Sequence, residues 1–505
     1  MSMETELKFQ VSAARSAALH KAVGTATGRS TRLQAVYFDT PDRQLAAAGV
    51  ALRLRKEGRV WVQTLKGRGD GLARRLEHEV RLGAQAAVPA LDIARHAGTP
   101  AAAALSAALG AAQAGGAELQ PIYRADIRRL HRIVRVGGAA IEIAHDQGEI
   151  IAGERRLKVD EIEFELISGP ASALPAMAAR WVERFGLWWD VRTKSEQGHR
   201  LALGLDGVPA VKSVAPALAA CVDTRQAWQA MVQATLAQAM PNAAEIAGGS
   251  GTPEHLHQLR VALRRLRSVL RVYADWGGDA AAALALEADW RAPFADLGAA
   301  RDRDVLAATL RDALTGAAAP PFDWPAGPPA PAAGEVVRSA AVTLLLLRTL
   351  AMAEGAAAPQ SPPTTSTPDG MALAKAARDR LLPLWRRVRR DARAFASRSV
   401  AEQHRLRKRL KRLRYALEPF WGLLKKRPAA RLRRALLDAL DALGELNDLH
   451  QAEALFRTQA AVEPAAWFAV GYVSARREAA ERRAGRRLAA LAAVPVVWRR
   501  RSVSA

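Results

Sequence analysis

The sequence predicts an α+β chain of several domains: an antiparallel β-barrel with flanking helices, then an all-helical half. Three observations carry this. Up to about residue 205, short segments alternate charged and apolar side chains, the period of a strand. From residue 217 the apolar positions recur at helical spacing. The helical half also repeats itself at an offset of 147 residues. The chain has 505 residues, 50% hydrophobic and 5% aromatic, so a sizeable core is available and alanine and leucine favour helix over most of the length.

The first strand is "METELKF" (Met3–Phe9), with Glu4, Glu6 and Lys8 on one face. Strand patterns follow at Ala35–Thr40, Ala51–Glu57, Val60–Gly67, Arg74–Leu82, Arg132–Gly138, Ala139–Gly148 and Val159–Ile167. Helical patterns lie at Ser12–Val23, Ala101–Ala112 and Ala171–Phe185. Many strands with one apolar and one charged face fit a closed barrel whose charges point inward. This domain spans residues 1–205, and residues 206–216 read as a linker. The helical domain spans 217–495, in two repeats at about 217–357 and 370–495, with proline-rich loops at 317–334 and 358–370. Each repeat has room for about four helices. Its most apolar stretch, Ser339–Ala353, is short and contains Arg348, which suits a buried helix and not a membrane span.

The net charge of +24 is uneven: residues 1–200 carry +7 and the remainder +17. A polyanionic partner is expected for the basic half: nucleic acid, an anionic membrane or polyphosphate. The single cysteine, Cys221, excludes an internal disulfide and a cysteine metal cluster. An acidic N-terminus without an apolar h-region makes a cytosolic location the expectation.

The charges of the strand half suggest chemistry. Glu4, Glu6 and Lys8 share one face, and Arg53 and Arg55 another, with Lys66 on the next strand. Glu142 and Asp146, and then Glu161, Glu163 and Glu165, alternate in the same way. Arg124 and Arg128 precede Arg132, and Lys194 lies in "TKSEQGHR". Burying so many charges is costly unless they are paired or satisfied by ligand. Arginine and lysine suit phosphate. Clustered carboxylates suit Mg²⁺ or Mn²⁺. Together these are the parts that phosphoryl hydrolysis requires.

"ETELK" resembles the ExExK signature of the CYTH family, the triphosphate tunnel metalloenzymes. "YFDT" (Tyr37–Thr40), "LRLR" (Leu52–Arg55), "LKG" (Leu65–Gly67), "IEIAHDQG" (Ile141–Gly148), "EIEFEL" (Glu161–Leu166) and "KSEQG" (Lys194–Gly198) follow in that family's order. The resemblance implies an eight-stranded antiparallel tunnel that binds a triphosphate and one or two divalent cations. By motif position it makes Glu4, Glu6, Asp146, Glu161, Glu163 and Glu165 metal-binding acids. It makes Arg53, Arg55, Lys66, Arg124, Arg128 and Lys194 substrate-binding bases. Glu4, Glu6 and Lys8 are the candidate catalytic residues, with Lys8 or a metal-bound glutamate orienting the attacking water.

In the helical half, His257, Arg260, Arg264, Arg267 and Arg271 share one helix face beside Leu259, Leu263, Leu266 and Leu270. The second copy has His404, Arg407, Lys411 and Arg414 beside Leu406, Leu410, Leu413 and Leu417, and Arg265 aligns with Arg412. "HQLRVALRRLRS" resembles the signature of the CHAD family, the conserved histidine α-helical domain. That resemblance implies two pseudo-symmetric four-helix bundles and a basic surface for inorganic polyphosphate formed by these eleven residues. Aromatic residues for base stacking are sparse beside the stripe, so no specific nucleic-acid site and no membrane contact are expected.

The leading expectation is a Mg²⁺- or Mn²⁺-dependent inorganic triphosphatase with a polyphosphate-binding helical domain, associated with polyphosphate granules. The alternatives are a non-catalytic protein that binds polyphosphate and targets granules, or a hydrolase of an organic triphosphate such as thiamine triphosphate.

Overall fold

The alternation of the N-terminal segment forms strand β1 (Ser2–Gln10). It is followed by α1 (Ala13–Val23), β2 (Arg29–Asp39), α2 (Gln44–Ala48), β3 (Ala51–Glu57), β4 (Val60–Arg68) and β5 (Arg74–Ala84). Next come α3 (Pro100–Ala114), β6 (Gln120–Val136), β7 (Ala139–Ala152), β8 (Arg155–Ser168), α4 (Ala173–Phe185), β9 (Trp188–Trp189) and α5 (Lys194–Leu203). This structure is a computed structural model, and it describes residues 2–69, 71, 73–114, 118–324, 331–354 and 370–495. The proline-rich stretches expected as loops fall partly outside these residues, at 325–330 and 358–369.

The strands pair in the order β5-β4-β3-β2-β6-β7-β8-β1, every pair antiparallel, and β1 pairs again with β5. Eight strands therefore close on themselves, which removes the exposed edges an open sheet would leave. The two residues of β9 extend β1 at Phe9 and Gln10.

Outside the barrel, apolar residues meet helices. Leu52 and Leu65 pack with Leu45, Val50, Leu105 and Leu109 under α2 and α3. Phe164 meets Trp181 of α4 edge-on, with ring centroids 5.9 Å apart. Inside, one end of the lumen is apolar: Ala35, Tyr37, Tyr123, Ala125, Ile127 and Ile150 form a cluster against which α5 packs Leu201 and Ala202. Helix α5 thus plugs that end. Its first turn is fixed by a capping box, with Thr193 Oγ1 accepting from the Glu196 amide at 3.0 Å and Glu196 accepting from the Thr193 amide at 2.7 Å.

The later helices are α6 (Thr224–Ala247), α7 (Pro253–Val272), α8 (Ala280–Asp289), α9 (Arg291–Gly316), α10 (Ala333–Arg338), α11 (Ala340–Glu354), α12 (Gly370–Arg393), α13 (Val400–Leu417), α14 (Lys426–Ala460) and α15 (Ala466–Ala493). The second repeat has the four helices expected, α12 to α15. The first has six among the described residues. Asp279 caps a separate α8, and Ser339 starts α11 anew by accepting from the Val342 amide at 3.2 Å. Helices α7 and α13 begin at equivalent positions of the repeat. Ser399 and Glu402 cap α13 reciprocally. At the matching place His255 Nδ1 accepts from the Thr252 amide at 3.0 Å, so a histidine replaces the glutamate. Leu406, Leu410, Leu413 and Leu417 are all fully buried, each worth about 1.5–3 kcal/mol. No helix among the described residues is long and apolar enough to cross a membrane.

Two compact units result. One comprises Met1–Lys212, Leu236–Leu259 and Ala333–Ala358, and the other Ser213–Thr235, Arg260–Ala332 and Pro359–Ala505. The unit that holds the barrel therefore also takes in two segments of the first helical repeat, and α11 packs against α4 within it.

Gly198 is a steric keystone of the plug. A Cβ there would lie 2.2 Å from the Tyr123 ring, which is itself stacked on Tyr37 at 4.6 Å between centroids. Gly198→Ala should destabilise the barrel by about 1–3 kcal/mol, measured by denaturant unfolding. Unchanged stability would show that the ring can move aside.

Candidate active site

The barrel register decides which side chains share the lumen, because directly opposed residues of neighbouring strands project to the same face. Three cross-strand rows follow from it. Gln10 lies opposite Glu161, which faces Asp146, which faces Arg129. Lys8 lies opposite Glu163, which faces Ala144. Glu6 lies opposite Glu165, which faces Glu142. On the other side of the barrel Tyr37, Arg53, Thr64 and Glu79 form one row, and Lys66 and Glu77 another. In the closed order β3 stands four strands from β8, so Arg53 and Arg55 face the glutamate row across the lumen.

The first two acidic rows are compensated. The Lys194 ammonium lies 2.7 Å from Asp146, 2.5 Å from Glu161 and 2.7 Å from Glu163. Lys8 donates to Glu161 at 2.9 Å. Arg129 holds Asp146 bidentately, with both contacts at 2.7 Å, and also pairs with Glu163. Burial pushes Glu163 and Asp146 up, but Lys194 and Arg129 overcome it and hold Asp146 below, and Glu163 well below, the usual carboxylate range.

The third row is all acid, and its compensation is incomplete. Burial, with Glu4 and Glu142 close by, pushes Glu165 up to about 8. Burial and the neighbouring Glu4 raise Glu6 as well. Burial, with Glu77 adding to it, raises Glu4 although Lys66 sits 2.6 Å away. Carboxylates directly opposite one another are destabilising in a sheet. A cation would displace the protons that these raised carboxyls favour, so Glu4, Glu6 and Glu165 are oxygen donors that could hold a hard divalent ion. Asp146, Glu161 and Glu163 each offer an oxygen within 4.8 Å of the others, but Lys194 stands among them.

One base of the opposite wall has the reverse imbalance. Burial, with Arg53 and Arg129 near, lowers Arg55 from the usual guanidinium range although Glu79 lies 3.1 Å away. Arg53 donates to the Tyr37 hydroxyl at 3.2 Å. Glu57 also pairs with Arg55, and despite burial nearby carboxylates hold Arg53 and Lys66 above their usual ranges, so Arg55 is the base of this wall that its neighbours leave under-compensated.

The structure brings Glu4, Glu6, Lys8, Arg53, Arg55, Lys66, Asp146, Glu161, Glu163, Glu165 and Lys194 together in the lumen. It does not bring Arg124 and Arg128 there. Both are exposed on the outer face, because Tyr123, Ala125 and Ile127 fill the inward positions of β6. The inward base of that strand is Arg129. Sequence reasoning missed it, although the neighbouring pair Arg128–Arg129 guarantees one base on each face. Tyr37, Gln10 and Glu79 are further lumen residues left unassigned by the sequence.

In the helical half the basic stripe is less open than its periodicity suggests. Arg260 is buried, and Arg260, Arg264 and Arg267 surround the Phe294 ring at 5.8, 5.9 and 5.2 Å. Arg265 pairs bidentately with Glu418, both contacts at 2.9 Å. Arg267 pairs with the buried Glu287 at 2.8 Å, and Arg271 lies 3.8 Å from it. In the second copy His404 Nδ1 meets Asn447 at 2.7 Å. His257, Arg407, Lys411 and Arg414 are partly exposed. Burial, with Arg271, Arg267 and Arg409 close by, lowers Arg412 from its usual range, a sign of crowded positive charge.

The Glu165 shift sets a pH dependence. The unfolded carboxyl titrates near 4.5 and the folded one near 8, so between these values the folded state holds the extra proton. Stability therefore falls as pH rises through that window, and the loss is complete above it. Glu165→Gln should stabilise the chain by something on the order of 2 kcal/mol above about pH 8, with no gain below about pH 4.5. Denaturant unfolding in chelator across this range tests it, and a gain independent of pH would refute the assignment.

Comparison with known proteins agrees with this architecture. The model of the CYTH domain matches residues 2–186, and that of the CHAD domain residues 230–457. A Haemophilus influenzae protein named inorganic triphosphatase is 33% identical over 168 residues, a match that covers 33% of this chain and 44% of that protein. The chain thus spans under half the length of that relative. Among solved structures, the CHAD domain from the plant Ricinus communis is 27% identical at a TM-score of 0.44, covering 57% of this chain and 98% of that one. A protein from Pyrococcus horikoshii OT3 is 18% identical at a TM-score of 0.23, covering 38% and 96%. The chain thus carries a match to the CYTH domain followed by a match to the CHAD domain.

Proposed function

We propose that the barrel hydrolyses inorganic triphosphate with the help of a divalent cation, Mg²⁺ or Mn²⁺, and that the helical half binds inorganic polyphosphate. One observation carries the first part: one lumen holds both an acid-rich row with raised carboxyls and a wall of bases in which Arg55 is under-compensated. A phosphate chain bound with a cation supplies the counter-charge to each. The named function of the Haemophilus influenzae relative supports the same substrate class.

In this reading Arg53, Arg55 and Lys66 bind the phosphate oxygens, and Tyr37 keeps the Arg53 guanidinium oriented. Glu4, Glu6 and Glu165 hold the cation, which when bound polarises phosphoryl oxygens. Lys8 lies in the row beside this acidic row, between Glu161 and the Arg192 carbonyl, where it can stabilise charge that develops on the transferring phosphoryl group. The apolar end plugged by α5 excludes water from one side. Lys194 and Arg129 hold Asp146 and Glu163 ionised and in place.

For the helical half, the crowding of Arg267, Arg271, Arg409 and Arg412 supports a polyanion as ligand, since phosphate charges would relieve it. Partly exposed His257, His404, Arg407, Lys411 and Arg414 extend the same faces.

The deciding experiment is phosphate release from triphosphate by metal-depleted protein, with and without Mg²⁺ or Mn²⁺. Turnover should require the cation and collapse in the Glu4→Gln, Glu6→Gln double variant, with circular dichroism unchanged. Arg55→Ala removes a charge-assisted donor worth about 1.5–3 kcal/mol and should cost roughly tenfold to a hundredfold in kcat/KM. No release under any cation would leave a protein that only binds phosphate chains. For the helical half, Arg271→Glu with Arg412→Glu should weaken long-chain polyphosphate binding and flatten its salt dependence, read by titration at several ionic strengths. Unaltered affinity would place the polyanion elsewhere.

A further inference from the structure

The turn that carries Lys194 into the lumen is anchored from outside the barrel by a carboxylate of the helical half. Glu245 lies near the end of α6, and its side chain is 2% exposed. It meets Arg200 bidentately, at 2.6 and 3.2 Å, and Arg192 at 3.8 Å. These two arginines bracket the stretch that contains Lys194. A second feature of the same segment closes around Arg192: a Cβ on Gly248 would lie 2.5 Å from its guanidinium, so the α6 end is shaped to receive it.

Arg192 has a double connection to the lumen. Its guanidinium holds Asp190 through Nε at 2.9 Å and Nη2 at 2.8 Å, and Asp190 accepts from Gln10 at 3.1 Å. Its carbonyl accepts from Lys8 Nζ and from Gln197 at 3.2 Å. One residue later the Thr193 cap starts α5, and Lys194 is the first residue of that helix. Any displacement of the Arg192–Arg200 stretch therefore moves the partners of both inward lysines. All of these residues belong to one compact unit.

The geometry points to Glu245 as a positioning residue for Lys8 and Lys194: a side chain of the helical repeat that sets the placement of two cations in the lumen. Asp190 remains to Arg192 at 2.8 Å, so the dependence on Glu245 falls chiefly on Arg200. Without its charge, Arg200, whose side chain is 14% exposed, keeps the Asp206 carbonyl at 2.7 Å but no carboxylate within 4 Å among the described residues. A buried charge without its partner is costly, so the stretch must shift toward water. For its catalytic consequence the inference rests on the triphosphatase reading.

The test uses the full chain. Glu245→Gln, Lys194→Met and the double variant are compared with Asp126→Asn, which breaks a bidentate pair with Arg32 on the outer wall at 2.9 and 2.5 Å. Two readouts are taken: triphosphate turnover, and the rate at which an amine-reactive reagent modifies Lys194, followed by mass spectrometry. Glu245→Gln should lower kcat/KM roughly tenfold, as expected of misplaced charges at a reaction centre, and should speed Lys194 modification several-fold. Asp126→Asn should do neither. In the Lys194→Met background Glu245→Gln should add less than tenfold, because the part of its effect that passes through the Lys194 ammonium is already lost and only the part through Lys8 remains. A merely structural role would instead give multiplying losses, and these would overturn the inference, as would wild-type turnover and labelling in Glu245→Gln. If the wild-type chain releases no phosphate, the triphosphatase reading fails by itself. The labelling rate then decides alone: faster modification supports the positioning role, and an unchanged rate refutes it.

Discussion

Charge compensation inside a closed wall is the constraint on which the barrel depends. Alternation along each strand sends one set of side chains outward to α2, α3 and α4 and the other into the enclosed lumen. Carboxylates on β1, β7 and β8 must then find cations or forgo their charge. Most find them: Lys194 serves three acids, Arg129 two or three, and Lys66 both Glu4 and Glu77. The Glu6–Glu165–Glu142 row does so only in part, through Arg75 at 3.8 Å from Glu6 and His131 at 3.2 Å from Glu142. Apolar residues at these positions would be no less stable and are often more so. A row that breaks the cross-strand rule in the middle of an otherwise compensated wall marks the place where a ligand completes the balance.

Much of this was legible in the residues. The inward face of β1, the glutamate row of β8 and the arginines of β3 followed from simple alternation, because those strands are regular and each charged run has only one parity. β6 defeated the same argument. Arg124 and Arg128 share a parity that looks like a charged face, but the inward parity of that strand begins apolar and becomes polar only at Arg129. The reason lies beyond the strand: Tyr123, Ala125 and Ile127 belong to the plugged end of the lumen, so one face changes character along its length. Helix α5 was hidden for a related reason. Its sequence is polar at the start, and only the Thr193–Glu196 capping box announces it. The division into units was not readable either, since the association of α11 with α4 is a tertiary choice that no local period encodes.

In the helical half the duplication was visible, and so were the leucine faces, but the environment of each arginine was not. A basic stripe read from spacing alone looks uniformly solvated. The structure sorts it into arginines that pack on Phe294, arginines paired with Glu287 or Glu418, and positions that are partly exposed. The two copies also differ in detail. His255 does for α7 what Glu402 does for α13, which shows that the cap, and not the residue type, is what the repeat requires.

Register and chemistry are one piece of information in this barrel. A slip of one residue between β1 and β8 would turn Leu7 and Phe9 into the lumen and the charges into the helices, which hydrophobic burial forbids. A slip of two keeps every side chain on its face, so burial cannot oppose it. Charge can. In the observed register Lys8 lies opposite Glu163, and a two-residue slip would set Glu6 there instead, carboxylate against carboxylate, while Lys8 lost its place between Glu161 and the Arg192 carbonyl. The paired rows therefore hold the strands in the one alignment that leaves the Glu6–Glu165–Glu142 row facing Arg53 and Arg55, and the energy of the compensated charges is what keeps the uncompensated ones in position.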